Sequence, residues 1–110
     1  MNDPPYGSEC TYNGLRLAGA LVKREGAEVR VFLMGDAVAC AKAGQNVPQG
    51  FYNLERMLRV VVQARGAVGV CGSCLEARAI GDAELAPGAR RSSLEDLADW
   101  STWAEQVLVF

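Results

Sequence analysis

The sequence predicts a three-layer α/β/α domain, a parallel sheet packed between helices. Two patterns and one kind of punctuation lead there. Short, β-branched apolar runs such as Glu28 to Met34 suit strands covered on both faces. They alternate with longer segments whose apolar residues recur at a 3.6-residue period, and glycines close those segments. Strands alternating with helices imply right-handed βαβ crossovers and therefore a parallel sheet.

Taken in order, Thr11 to Arg24 reads as a helix with Leu15, Ala18 and Val22 on one face, Leu17 and Leu21 beside them, and Gly26 as the stop. The strand Glu28 to Met34 follows. Gly35-Asp36 opens a short helix with Asp36 as N-cap, ended by Gly44. Gln45 to Tyr52 is a turn-rich loop. The next helix carries Leu54, Met57, Leu58, Val61 and Val62 on its apolar face and a Glu55–Arg59 pair on the wet one, and Gly66 ends it. Ala67 to Val70 is a second buried strand. Ser92 with Glu95 forms a capping box for a helix through Glu105 that buries Leu94, Leu97, Ala98 and Trp103. Val107 to Phe110 is a closing strand. The turn Asn2 to Gly7 has no strand leading into it, so the chain is expected to begin after a first strand.

Composition narrows the function. A chain of 110 residues, half of them hydrophobic and 22% charged, makes one globular domain. A net charge of −2 and a pI near 5.1 leave no clustered positive field for nucleic acid or an acidic membrane. Lys23-Arg24 and Arg90-Arg91 read as solvated helix flanks. There is no leader pattern, no Asn-x-Ser/Thr acceptor and no apolar run near the roughly 20 residues of a membrane span. A cytoplasmic, reducing location is expected, with the four cysteines as free thiols. With no histidine, Ser-His and Cys-His relays are excluded.

Any chemistry therefore falls to Cys71 and Cys74. Val68-Gly69-Val70-Cys71-Gly72-Ser73-Cys74 places two thiols where a buried strand turns into a helix. Strand ends of this kind are where α/β sheets bind ligands, and backbone N–H groups with a helix dipole there stabilise a thiolate. The effect matters, because an ordinary thiol of pKa ~8.5 is only about 3% ionised at pH 7. Gly72 and Ser73 supply the N–H groups, Arg78 adds positive field a turn later, and Asp36 sits at a neighbouring strand end and lines the same crevice or merely caps its helix. Four readings stay open for this Cys-x-x-Cys: a nucleophile that passes sulfur on, a dithiol redox pair, half of a zinc site, and cysteines that only fill space. Cys40, in an alanine-rich stretch, reads as packing, and Cys10 as incidental. Gln45-Asn46 and Tyr52-Asn53 serve turn and cap duties or line a pocket.

Three segments, Asn2 to Ala18, Val31 to Val38 and Cys71 to Arg78, with the tail Leu97 to Phe110, resemble the DsrE/DsrF-like family, especially its small YchN-like branch. The resemblance covers nearly the whole chain. It implies a five-stranded parallel sheet, assembly into homotrimers or hexamers, and a sulfur relay in which a strand-end cysteine carries a persulfide between donor and acceptor proteins, with no metal or organic cofactor. Cys71 falls at that position, with Cys74 as a second thiol that resolves or shields the persulfide. Where the family pattern reads Ala-Arg-Gly-Ile, this chain has Ala77-Arg78-Ala79-Ile80. If a positive φ is needed there, Ala79 costs on the order of 1 kcal/mol.

Overall fold

The computed structural model describes residues 1–49 and 52–110. Gly50 and Phe51, part of the expected Gln45 to Tyr52 loop, lie outside the described residues. The elements run α1 (Cys10–Leu21), β1 (Arg30–Leu33), a 3-10 helix (Gly35–Ala41), α2 (Leu54–Gln63), β2 (Ala67–Cys71), α3 (Gly72–Glu76), a 3-10 turn (Asp82–Glu84), β3 (Ala89–Ser92) and α4 (Leu94–Trp103). Among the described residues the sheet has three strands, all parallel, in the order β1-β2-β3. Among the described residues no helix is long and apolar enough to cross a membrane.

Side-chain alternation explains the layering. Val31 and Leu33 of β1, with Val68 and Val70 of β2, point into one core with Leu15 and Ala18 of α1 and Leu54, Leu58 and Val61 of α2. Phe32 and Gly69, one residue out of phase, face α4. There the Phe32 and Trp100 rings meet edge to face at 5.9 Å, and a Cβ on Gly69 would lie 3.1 Å from Trp100 Cη2. Helices thus cover both faces, as the sequence predicts.

Several local expectations change. Asp36 does not cap the 3-10 helix; Met34 holds that position, and the Asp36 carboxylate pairs with Arg78 instead. Glu55 does pair with Arg59, at 3.3 Å, and Arg59 is exposed as expected, but Glu55 itself is buried and also accepts the Gln45 N–H at 2.9 Å. The capping box of α4 is Ser93 with Asp96, one residue later than expected, because Ser92 is the last residue of β3. A shift of one residue turns a helix face by about 100°. The inward position is consequently Trp100, while Leu94, Ala98 and Trp103 are exposed, Leu97 is half-buried and the helix ends at Trp103. Arg90 and Arg91 are not helix flanks but the solvated middle of β3, an edge strand whose charges suit its open side.

Val107 to Phe110 forms no strand. Met1 and Asn2 lie along β1, the Met1 ammonium donating to the Phe32 carbonyl at 3.0 Å and Met34 N–H to the Met1 carbonyl at 3.1 Å. On their far side Asn2 N–H donates to the Phe110 carbonyl at 2.7 Å. One backbone bond does not make a ladder, so the tail stays irregular. Among the described residues three strands form the sheet, where the resemblance implies five, and these two short contacts lie in turn beyond β1.

Candidate functional site

Parallel pairing of Leu33 with Val70 brings the ends of β1 and β2 side by side. The two loops that follow, Gly35–Ala41 and Gly72–Glu76, therefore meet at one edge of the sheet. Cys71 is the last residue of β2 and Cys74 lies in the single turn of α3, both half-buried against the main core. Cys74 Sγ accepts the Gly35 N–H at 3.3 Å, which ties α3 to the β1 loop. Cys71 Sγ lies 3.4 Å from Ser73 Oγ. Cys10, Cys40, Cys71 and Cys74 are all free thiols.

Partial burial by itself would push the Cys71 thiol up. Hydrogen bonds from the Cys74 and Ser73 side chains and from the N–H groups of the same two residues outweigh it and hold the thiol below its ordinary 9.0. The expected helix dipole is absent, because five residues align too few peptides to build one.

Arg78 reaches the site but spends its charge there. Nε and Nη2 donate to Asp36 Oδ1 at 3.1 and 2.6 Å, and Nη1 donates to the Cys74 carbonyl at 3.0 Å. Its role is to clasp the two loops together. Asp36 is thus brought to the crevice as expected, as the partner of Arg78.

Arg91 is the neighbour that the sequence did not disclose. From β3 its guanidinium donates to the Gly72 carbonyl at 3.1 Å, to Glu76 Oε1 at 3.0 Å and to Asp82 Oδ1 at 2.7 Å. Position 91 reaches position 72 only through the β2–β3 pairing, for which no local pattern exists.

The other candidates lie elsewhere. Cys40 is fully buried, and burial pushes its thiol up to about 12, which makes it inert. Cys10 is the exposed first residue of α1. Gln45 ties down the carbonyls of Cys40 and Lys42, and Asn53 caps α2 by accepting the Arg56 N–H. With Tyr12, Arg16 and Tyr52, these residues line a cleft of about 530 Å³. A second cleft, about 550 Å³, lies at the opposite end of the strands among Arg30, Arg65, Arg90 and Trp100. Neither is lined by Cys71 or Cys74, which are half-buried against the main core. Among the described residues no three Cys, Asp or Glu side chains converge as metal ligands.

The family model for the DsrE/DsrF-like family matches residues 1–110. The chain is similar to Protein YchN of Escherichia coli strain K12, with 39% identity over 99% of this chain and 93% of that one. Uncharacterized proteins of Methanopyrus kandleri and Methanocaldococcus jannaschii are 34% and 33% identical over 100% of this chain and 89% and 95% of theirs. Its fold is similar to the crystal structure of the E. coli YchN protein, with a TM-score of 0.94 over 100% of this chain and 94% of that chain.

Proposed function

This chain belongs to the DsrE/DsrF-like family, and from that premise we propose that it carries sulfane sulfur on Cys71 and passes it to a partner thiol. The observation that carries this reading is the half-buried thiol at the end of β2, held below its ordinary 9.0 by the turn that follows it. The Cys71 thiolate attacks the outer sulfur of a donor persulfide. A new S–S bond forms to Cys71, the donor's S–S bond breaks, and the donor leaves as a thiolate. An acceptor thiolate then takes the same outer sulfur and returns Cys71 as thiolate, so no net oxidant is consumed. The partial exposure of both cysteines leaves them within reach of donors and acceptors that are themselves proteins. Cys74 shields the loaded sulfur. A reducing compartment such as the cytoplasm suits the four free thiols.

The test is intact-mass measurement of the reduced protein after exposure to a small persulfide donor. The parent and Cys74→Ser gain one sulfur atom, and Cys71→Ser gains none. Equal loading of Cys71→Ser would sink the assignment. A dithiol redox pair is the second reading, favoured by two free, half-buried thiols three residues apart at one strand end. Its mark in the same experiment is the loss of two hydrogens in the parent alone. No mass change in any variant would leave an interaction module whose cysteines only pack.

A further inference from the structure

Arg91 stands opposite Val70 on β3, one step before the Ser92–Cys71 pair. Its three acceptors, the Gly72 carbonyl, Glu76 and Asp82, lock the guanidinium across the cysteine loop. There is room for it because residue 72 is glycine: a Cβ there would lie 3.1 Å from Arg91 Nη1 and 3.3 Å from its Cγ.

The Gly72 carbonyl and the Ser73 N–H belong to one planar trans peptide and point in opposite directions. A cation gripping the oxygen therefore fixes the orientation of this peptide and of Ser73 that follows it. We propose that Arg91 is a positioning residue for Cys71, holding the Gly72–Ser73 peptide and with it Ser73, whose Oγ lies 3.4 Å from the Cys71 sulfur. It does so without touching the sulfur. The proposal rests on the reading of Cys71 as the reactive thiol.

The ionisable groups around Cys71 are Cys74, Glu76 and Arg78 from α3 and its turn, Asp36 from the 3-10 helix, Asp82, and Arg91. Asp36 is matched by Arg78, and Glu76 and Asp82 are matched by Arg91. Losing Arg91 thus has two effects of the same sign on the thiol: the peptide is released, and two carboxylates lose their partner. Salt screens the second effect and leaves the first, since the Debye length shrinks to about 3 Å at about 1 M.

The experiment follows the rate of Cys71 alkylation by iodoacetamide, resolved by mass spectrometry, from about pH 6 to about pH 10 at low salt and at about 1 M KCl. Parent, Arg91→Gln and Arg91→Lys are compared. The inflection rises in Arg91→Gln, neutral-pH alkylation slows about three- to tenfold, and the shift survives high salt. Lysine, a point charge without the planar fork, recovers less than half of it. An unmoved inflection in Arg91→Gln, or a shift that vanishes at 1 M salt, overturns the proposal. Should Arg91→Gln fail to fold, a parent-like inflection in Arg91→Lys overturns it equally. An ordinary thiol inflection in the parent would count against the sulfur-carrier reading instead, because the role of Arg91 is read from the difference between proteins.

Discussion

Cys40 has no solvent contact, and burial pushes its thiol up to about 12 from an ordinary 9.0. Cys71, on the same molecule, has enough donors around its sulfur to move the other way. The consequence for stability can be given a sign. At Cys40 the unfolded chain loses its proton near 9 while the folded chain keeps it to about 12. The stabilising contribution is therefore intact below 9 and falls by about 1.4 kcal/mol per pH unit across that window. Urea unfolding at stepped alkaline pH should show this fall in the parent and lose it in Cys40→Ala. A parallel fall in both proteins would assign alkaline sensitivity to other groups, such as Tyr6, whose hydroxyl burial also pushes up.

At the scale of the element, α3 ends in a motif usually closed by glycine. Ile80 N–H donates to the Leu75 carbonyl and Ala79 N–H to that of Glu76, both at 3.0 Å, with Ala79 at φ 52° and Ile80 and Leu75 in the core. The positive φ conditionally expected at Ala79 is present. Helix α2 ends the same way, with Arg65 at φ 65° in the left-handed place, so Gly66 follows the turn rather than making it. An alanine there strains its Cβ by about 1 kcal/mol. Ala79→Gly should raise the stability by about that much, less the entropy it restores to the unfolded chain. A melting temperature higher by a few degrees, up to about 8 °C, is the expected result; a lower one would show that the turn is not strained.

Across the whole molecule the apolar surface is unevenly shared. The α1–α2 side forms the main core while Leu17, Leu21 and Val60 stay exposed; on the other side Trp100 closes over Phe32, and Leu94 and Trp103 of α4 with Val107, Leu108 and Val109 of the tail are exposed. Val109 alone is 77% exposed. Scattered apolar residues need no explanation, but a helix face and a tail together suit burial between copies of the chain. We expect light scattering to give a multiple of 11.8 kDa, a trimer or hexamer on the family resemblance, and Val109→Asp with Leu94→Asp to lower it. A parent mass of one chain would refute the expectation.

The sequence by itself determined the layers, the parallel strands and the place of Cys71 at a strand end. These follow from periodicity and punctuation, which are properties of neighbours along the chain. The warning at Ala79 came from the family resemblance, in which glycine holds that position. Other features came from the tertiary structure alone. The edge strand Ala89–Ser92 has two arginines at its centre and no apolar period, so pairing with β2 and not propensity makes it a strand. That pairing moved the cap of α4 by one residue and turned Trp100 inward. It also carried Arg91 onto the cysteine loop, 19 positions from Gly72. A side chain's partner across a sheet is fixed by the register of backbone hydrogen bonds between distant segments, and nothing in either segment alone encodes that register.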